Sequence, residues 1–431
     1  MSNVPNSWAI KKVDDYTEII TDYVANGSFA SLKENVEYVD YSDYVLIRLA
    51  DYNSNFNGEF RYITKNSYDF LSKTKLYGGE IIISNVGANA GTVFKAPILD
   101  KKMSLGPNSI TLKTFGNDDF YYYWFKSIYG QHALGTIITG SAQPKFNKTN
   151  FRDLLIPVPP IEEQDAIVKV IKVFDNKIEN NNAIIANLEE QAQAIFKSWF
   201  VDFEPFQDGE FVESELGLIP KDFSVVKLKE ISTRRNGYSY KSKELNELSD
   251  TNMITLKNFN RNGGINFNAT KPIDETERMK DFHYLNSGDI LIACTDLTQN
   301  AEVLGRTISY LENEEFDREV YSMDLVKIEP DRIEDKMYIY YYLSSFVFKS
   351  FAEGVATGTT VLHFPKKSID EFKMIYPSSE LINKFSNLIK PILLKQNNLT
   401  LENKKLEEIR DTLLPKLMSG EIRVEEATEV N

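Results

Sequence analysis

TGSAQPKFNKTNFRDLLIPVPP, residues 139–160, leads into a long helix-like segment that ends near Phe200. A second version begins 218 residues later, at Thr357, reads TGTTVLHFPKKSIDEFKMIYP and leads into a segment that ends near Met418. The two copies align without a gap, so that Phe146 stands opposite Phe364. An internal duplication of this length predicts two equivalent structural units in one chain.

The repeat extends into the segments that precede each helix. Residues 4–8 resemble residues 219–223, and residues 79–84 resemble residues 288–293. Short β-branched runs that follow a glycine, such as 80–84 and 289–292, predict strands. The aromatic runs 120–125 and 338–342 predict short helices packed on a core, with a base-stacking platform as the alternative. Each half is therefore predicted to be a strand-rich, mixed α/β module of roughly 150 residues followed by a helix of about 40.

Each helical segment carries a heptad seam, in which apolar residues alternate spacings of four and three. The first seam comprises Ile167, Ile171, Phe174, Ile178, Asn181, Ile185, Leu188, Ala192, Ile195 and Trp199, and the second comprises Phe385, Ile389, Ile392, Gln396, Leu399, Asn403, Leu406, Arg410, Leu413 and Leu417. Polar residues near the middle of each seam are typical of positions that fix register. Paired within the chain, the helices are expected to run antiparallel. Pro391 predicts a kink in the second.

Composition excludes some protein classes but does not decide nucleic-acid binding. The net charge is −14, yet residues 201–219 alone hold six acidic residues and no basic one. No run approaches the roughly 20 apolar residues of a membrane helix, and the N-terminus lacks the apolar stretch of a signal peptide. The single cysteine, Cys294, predicts a buried small residue and rules out an intrachain disulfide. These features favour a cytoplasmic protein.

The order module–helix–module–helix resembles the specificity subunit of Type I restriction–modification enzymes. Three stretches carry the resemblance, namely GSAQPK at 140–145, PVPPIEEQ at 157–164 and LMSGEIRV at 417–424. The resemblance implies two target-recognition domains, at 1–158 and 220–378, each reading one half of a split, asymmetric DNA site. It also implies spacer helices at 159–203 and at 379–431, the latter with a C-terminal tail. An acidic linker at 204–219 is expected between the halves.

The same resemblance implies partners that carry the chemistry. Two methyltransferase (modification) subunits would dock on the helices, bind S-adenosylmethionine and methylate adenine at N6. Restriction subunits that use ATP and Mg²⁺ would join them. The second copy departs from the pattern, because QPK at 143–145 becomes VLH at 361–363 and PPIEEQ at 159–164 becomes PSSELI at 377–382. Contacts made by these positions in the first half therefore do not carry over to the second.

The residues themselves offer no catalytic or metal motif. There is no Gly-Lys pair of a phosphate loop, and no Asn-Pro-Pro-Tyr or Asp-Pro-Pro-Tyr motif. His132, His283 and His363 are scattered and lack ligands at metal spacing, so ordinary surface or packing roles are expected. The chain is predicted to be non-catalytic, with no cofactor or metal of its own.

DNA binding requires Lys and Arg for phosphates, and Arg, Lys, Asn or Gln for base edges. Residues 234–243, RRNGYSYKSK, interleave cations with two tyrosines and no acid, although a solvated loop explains that pattern equally well. The predicted DNA-contacting residues are Asn85, Asn89, Lys95, Lys101, Lys102, Gln143, Lys145, Asn147 and Lys148 in the first module, and Arg234, Arg235, Tyr238, Tyr240, Lys241, Lys243, Arg306, Lys366 and Lys367 in the second.

Apolar residues crowd the C-terminal ends of both helices at adjacent positions, which a single antiparallel pair does not cover. The candidate partner-binding residues are Ile195, Phe196, Trp199, Phe200 and Phe203 on the first helix, and Leu413, Leu414, Leu417 and Met418 on the second. The alternative is that the recognition modules of the same chain cover these apolar residues. For the whole chain, the alternative function is a coiled-coil scaffold that joins two protein-binding modules without touching DNA.

Overall fold

A computed structural model describes residues 4–260, 264–296 and 301–424. The chain divides into two compact units, unit 1 with residues 1–178 and 405–431, and unit 2 with residues 179–404. Each unit combines one globular module with parts of both long helices. In the described part of the chain, no helix is long and apolar enough to cross a membrane.

Module 1 is mixed α/β and is followed by the first long helix, α7. In chain order its elements are β1 (Ala9–Lys12), β2 (Thr17–Asp22), α1 (Phe29–Asn35), β3 (Tyr38–Val39), β4 (Tyr44–Ile47), α2 (Leu49–Asn53), β5 (Arg61–Ile63), α3 (Lys65–Phe70), β6 (Lys75–Leu76), β7 (Ile81–Ser84), β8 (Val93–Lys95), β9 (Lys102–Leu105), β10 (Ser109–Thr114), α4 (Asp118–Lys126), α5 (Ile128–Ile137), α6 (Lys148–Arg152), β11 (Leu155–Val158) and α7 (Ile161–Phe200).

Two sheets and a separate strand pair build module 1. A four-stranded antiparallel sheet has the order β2-β10-β7-β8, with Ser109 opposite Ser84. A five-stranded sheet, β3-β5-β4-β9-β6, contains the parallel pair β4–β9. Strand β1 pairs with β11, which brings the start of the module beside the entry to α7. All four residues of β7 are buried, which accounts for its three consecutive isoleucines.

Module 2 lies in unit 2 and is followed by the second long helix, α11. Its elements are β12 (Phe211–Ser214), β13 (Gly217–Pro220), β14 (Ser224–Lys227), β15 (Ser232–Asn236), β16 (Thr251–Ile254), β17 (Ile290–Ala293), β18 (Thr295–Asp296), β19 (Thr307–Ser309), β20 (Arg318–Tyr321), β21 (Leu325–Pro330), α8 (Lys336–Ser344), α9 (Phe346–Gly354), β22 (Leu362–His363), α10 (Lys366–Asp370), β23 (Lys373–Tyr376) and α11 (Ser379–Ser419).

The predicted internal repeat is confirmed in the topology of module 2. The sheet β15-β21-β17-β19 repeats the order of β2-β10-β7-β8, and β14–β23 repeats β1–β11. The parallel pair β16–β20 corresponds to β4–β9. The aromatic runs form α4 and α8, in which Trp124, Tyr338 and Tyr341 are fully buried. The core interpretation of these runs is therefore correct, and the base-stacking alternative is excluded for those three rings.

Both long helices form as predicted, with 40 residues in α7 and 41 in α11. None of the twenty predicted seam residues is exposed. Within unit 1, Arg410 of α11 donates to the Asp175 carboxylate of α7 at 2.8 Å. Within unit 2, Asn181 donates to Asn403 at 2.8 Å, and Gln396 donates to Glu189 at 3.1 Å. Residues that come later in α7 pair with residues that come earlier in α11, so the two helices are antiparallel.

Helix α11 continues through Pro391, and the kink expected at that proline stays a prediction. The segment expected to be an acidic linker is ordered. The acidic segment 204–219 contains strand β12 and the first three residues of β13, and these two strands pair as a hairpin. Phe206 and Phe211 pack against the core of unit 2. These phenylalanines supply the apolar contacts that order the segment. The high acidic content of the segment led to the expectation of a linker instead.

Candidate nucleic-acid interface

Three loops of module 1 meet where β7 ends and β10 begins, and we call this surface edge 1 (residues 84–91, 106–109 and 138–150). The Asn85 N–H donates to the Asn108 carbonyl at 3.0 Å, which ties the first loop to the second. The Phe146 N–H donates to the Asn85 carbonyl at 3.1 Å, and the Gly87 N–H donates to the Pro144 carbonyl at 2.9 Å. The third loop is therefore fixed against the first by main-chain hydrogen bonds.

The third loop is a closed hairpin with a required glycine. Thr139 and Lys145 exchange two N–H···O=C bonds, both of 2.9 Å. Gly140 has φ of +92°, and a Cβ added there would lie 2.9 Å from the Gln143 carbonyl oxygen. An L side chain is strained in this backbone region. The hairpin therefore holds Gln143 at an exposed tip in one backbone conformation.

Edge 1 is rich in amides and contains no acidic residue, although the chain as a whole has 63 Asp and Glu. Asn89, Asn108, Gln143 and Lys145 are all exposed on it. Amide side chains offer a donor and an acceptor side by side, which is the pattern that base edges require. The absence of carboxylates removes a source of repulsion toward phosphates. Edge 1 is therefore a suitable surface for nucleic acid in an otherwise acidic protein.

The same arrangement recurs in module 2, and we call its described residues edge 2 (294–296, 322–324 and 356–367). The Cys294 N–H donates to the Asp324 carbonyl at 2.8 Å, and the Phe364 N–H donates to the Cys294 carbonyl at 2.8 Å. Thr357 and His363 exchange main-chain bonds of 2.9 and 2.8 Å. These bonds reproduce, position by position, those of edge 1. The hairpin segment 356–367 contains no acidic residue, whereas the other two segments of edge 2 contain Asp296 and Asp324.

Ion pairs inside the chain occupy several of the predicted DNA-contacting cations. The pairs are Lys95 with Asp119, Lys101 with Asp43 at 3.8 Å, Lys148 with Asp22 at 2.9 Å, Arg234 with Asp370 at 2.7 Å, and Arg235 with Glu329 at 2.7 Å. A cation that is already neutralised releases little free energy on meeting a phosphate. These five side chains therefore already have acidic partners within their own modules, and the sequence alone gave no means of distinguishing them from the unpaired cations.

Other predicted residues are also engaged within module 2. Burial lowers the pKa of Arg306, which donates to the Glu302 carbonyl, and lowers that of Lys366, which donates to the Met323 carbonyl. Tyr238 is buried and donates its hydroxyl to Glu244. Tyr240 accepts a hydrogen bond from Lys271. These four side chains bind their own module, which limits what they can offer to DNA in this conformation.

The remaining predicted cations are exposed. Within the ranges that the structure describes, no ion pair involves Lys102, Lys145, Lys241, Lys243 or Lys367. Lys145 lies on edge 1 and Lys367 on edge 2. Asn147 is exposed on edge 1, but its side-chain oxygen caps α6 through the Asn150 N–H. Asn108, exposed on edge 1 with φ of +66°, was not predicted, and its only sequence signal is the Gly-Pro-Asn turn before β10.

Side chains of the PVPPIEEQ stretch, residues 157–164, connect the start of α7 to module 1 by hydrogen bonds. Gln164 is fully buried, accepts from the Asn117 N–H at 2.9 Å and donates to the Pro159 carbonyl at 2.9 Å. Glu163 accepts from the Trp8 indole at 2.9 Å and from Arg423 at 2.9 Å. These bonds fix the direction in which the helix leaves the module. In the second copy Ile382 takes the place of Gln164 and is also fully buried, so an apolar contact replaces the polar one.

The candidate partner-binding residues lie in or against the cores of their own units. Phe196, Phe200 and Phe203 are buried in unit 2 with residues of module 2, and Ile195 and Trp199 pack against that cluster. Leu417 and Met418 are buried in unit 1, and Leu413 and Leu414 pack against the same core. Covering by the recognition module therefore accounts for this apolar crowding. The five buried side chains offer no surface to a partner in this conformation.

Among the described residues, no group of three or more His, Cys, Asp or Glu side chains is placed to hold a metal ion. His283 is buried in module 2, where its Nδ1 accepts from the Lys280 N–H at 3.0 Å. Burial, followed by the charges of Lys280 and Lys327, lowers the pKa of this imidazole. Cys294 is buried as predicted, and burial raises the pKa of its thiol to about 12.

Comparison with known proteins bears on the whole chain. Residues 5–190 and 220–410 each match the family described as Type I restriction modification DNA specificity domain. The MjaIX specificity subunit of a Type I restriction enzyme from Methanocaldococcus jannaschii is 28% identical, covering 99% of this chain and 96% of its own. The HindI specificity subunit from Haemophilus influenzae is 24% identical, over 65% and 71% of the two chains. A solved S subunit from M. genitalium has the same fold, with a TM-score of 0.54 at 19% identity and 97% coverage of both chains.

Proposed function

Because the chain belongs to the Type I restriction modification DNA specificity family, we propose that it reads an asymmetric, interrupted DNA site with two different surfaces. Edge 1 would bind one half of the site and edge 2 the other. One observation carries this proposal, namely that a single chain holds two copies of the same hydrogen-bonded hairpin with different exposed side chains. Two hairpins with the same backbone structure but different side chains are expected to bind half-sites of different sequence.

The division of labour within each edge follows from its chemistry. Asn89 and Gln143 would contact base edges in module 1, because one amide can make two hydrogen bonds to the same adenine. Asn85 was also predicted to do so, but its Nδ2 donates to the Phe146 carbonyl at 3.3 Å and its Oδ1 is buried. Lys145 in module 1 and Lys367 in module 2 would contact phosphates, which position the protein without reading sequence. Lys102, Lys241 and Lys243 are further candidates for phosphate contacts, since their charges are not used in ion pairs among the described residues.

The chain is proposed to act by recognition, while its partners perform the chemistry. Two methyltransferase subunits that bind S-adenosylmethionine would be placed on the DNA by this chain, and restriction subunits with ATP and Mg²⁺ would join them. The proposed recognition domains are residues 1–158 and 220–378, with spacer helices in 159–203 and 379–431 and the acidic segment 204–219 between the halves. This assembly is proposed to work in the cytoplasm.

A methylome tests the proposal directly. Genomic DNA from cells that express the cognate methyltransferase, with and without this chain, is sequenced by a single-molecule method that detects N6-methyladenine. The expected result is a split, asymmetric methylation motif that appears only with the chain. If the two proteins co-purify and no motif appears, the chain is a scaffold, a function that its net charge of −14 would suit. Binding to duplex DNA would then lack the steep salt dependence of phosphate contacts.

A further inference from the structure

A loop rich in asparagine begins beside edge 1. Residues 48–58, RLADYNSNFNG, lie between β4 and β5, and we call them the asparagine loop. The Gly106 N–H, at the start of one segment of edge 1, donates to the Ile47 carbonyl at 2.8 Å. A Cβ added at Gly106 would lie 2.8 Å from Cγ of Arg48, so a glycine is what allows this close approach. The asparagine loop therefore leaves β4 in direct contact with edge 1.

Main-chain bonds and ring packing hold the asparagine loop in one conformation. Asn55 and Phe56 have φ of +50° and +57°, in the left-handed region. The Asn55 N–H donates to the Tyr52 carbonyl at 2.8 Å, and the Phe56 N–H donates to the carbonyl of the preceding residue, Asp51, at 2.7 Å. The Phe56 ring lies against that of Tyr52, which stacks on the buried Phe94 with 4.9 Å between ring centroids. Strain in a non-glycine residue is typical of sites where function requires a fixed geometry.

The asparagine loop presents three amides that its own module does not use. Asn53, Asn55 and Asn57 are exposed, and none of their side chains has a hydrogen-bond partner among the residues that the structure describes. The one acid of the loop, Asp51, is buried and paired with an arginine of the same loop at 2.6 Å. Glu59, just beyond the loop, is exposed and would repel phosphates. The ligand that suits these amides is therefore a base edge, to which an amide offers a donor and an acceptor.

The corresponding loop of module 2 keeps the same attachment but uses its amide differently. The Ser322 N–H donates to the Ile254 carbonyl at 2.9 Å, which repeats the bond between the corresponding residues of module 1. Asn258 in that loop is buried, and its amide donates to two main-chain carbonyls of the loop, both at 3.0 Å. The two loops therefore offer different groups beside their edges, as expected of positions that read different half-sites. The asparagine loop also lies outside the three stretches that carry the family resemblance, so that resemblance assigns it no contact.

We infer that the asparagine loop is a second base-reading element of module 1, in which Asn55 and Asn57 contact the half-site that edge 1 binds. The ligand is a base edge in the major groove of duplex DNA, and adenine is the base to which an asparagine amide can make two hydrogen bonds. Asn53 ends helix α2, so the other two amides are the ones at the bend of the loop. This inference rests on the proposed function, because it adds a reading element to one of the two proposed surfaces.

Substitutions in the full chain, assembled with its methyltransferase, test the inference. Asn55→Gly removes one amide and suits the left-handed backbone, and Asn57→Ala removes the other. Each variant is compared with the wild type by the same single-molecule methylome, and by methylation rates on duplexes that carry each base at the affected position. Each should lose discrimination by about tenfold or more at one or two positions, all in the same half of the motif. Asn66→Ala is the matched control that should change neither half, because this exposed asparagine lies in α3, which follows β5 at the end away from the asparagine loop.

The outcomes separate this inference from the proposed function. If both variants methylate the wild-type motif with unchanged preference at every position, the loop does not read bases and the inference is overturned. A uniform fall in methylation without a change in preference overturns it as well, and so do changes in both halves of the motif. A change with one variant alone supports the loop as a reading element and assigns the contact to that residue. A wild-type complex without a two-part motif would refute the proposed function itself. Because both side chains are exposed, circular dichroism of each variant should match the wild type.

Discussion

Tyr123 and Tyr341 occupy the same position of the repeat but have different surroundings. The Tyr123 hydroxyl in α4 donates to the Asp175 carboxylate, and Arg410 completes the group in unit 1. In unit 2 the position equivalent to Asp175 is Leu393, and the buried Tyr341 hydroxyl has no hydrogen-bond partner among the described residues. The two tyrosines therefore form a matched pair for measuring a buried hydroxyl with and without its acceptor.

The substitution Tyr123→Phe should destabilise unit 1, and Tyr341→Phe should not destabilise unit 2. A hydrogen bond to a charged acceptor contributes about 1.5–3 kcal/mol. Since Arg410 still pairs with Asp175, we expect the lower end, about 1.5 kcal/mol, for Tyr123→Phe. A buried hydroxyl without a partner costs about 1–3 kcal/mol in desolvation. Removing it in Tyr341→Phe should leave the stability unchanged or raise it by about 1 kcal/mol.

Hydrogen exchange measured by mass spectrometry is the suitable assay, because peptides from α4 and α8 report the opening free energies of units 1 and 2 separately. Tyr129→Phe is the control, since this tyrosine is 43% exposed in the neighbouring helix α5 and should show no change. Equal losses in the two variants, or a larger loss for Tyr341→Phe, would refute the reasoning. Such a result would mean that ring packing, and not the acceptor at position 175, sets the difference.

Two further predictions concern charge. Lys145→Ala should weaken DNA binding and reduce the slope of log K against log salt concentration by about one. Lys95→Ala should leave that slope unchanged, because Asp119 already neutralises the Lys95 charge. Equal slopes for both variants would show that the ion pair does not persist on DNA. The lowered pKa of His283 means that the unfolded chain takes up protons more readily, so unit 2 should lose stability as the pH falls through about 6.5. His283→Asn, which retains an acceptor for the Lys280 N–H, should lose less stability between pH 7.5 and 5.5 in urea denaturation, and an equal loss would exclude this histidine as the source.

The gapless repeat was the most informative feature for the fold, because corresponding residues are expected to form the same local structure in both halves. Alternating spacings of four and three in 167–199 and 385–417 predicted two long helices, and β-branched runs after glycine predicted β7 and β17. Both predictions depend on local periodicity, which a sequence displays directly. The acidic segment 204–219 escaped the same reasoning, since its net charge masked the two phenylalanines that pack on unit 2.

The candidate interface was predictable only in part. Asn89, Gln143 and Lys145 were identified from residue type, and the structure joins them through main-chain bonds between loops more than 50 residues apart. Lys95, Arg234 and Arg235 have the same residue types but are held in ion pairs with acids 24, 136 and 94 residues away. Separations of this size leave no trace in a local pattern.

The sequence by itself determined the two-fold repeat, the seam of each helix and the family of the chain, because each of these is recorded in spacing and residue type along the chain. Only the tertiary structure decided which cations remain available. It also decided which loops share an edge. Those properties depend on which distant side chains become neighbours, and the free energy of an ion pair or a buried ring is set by that neighbour and by exclusion of water.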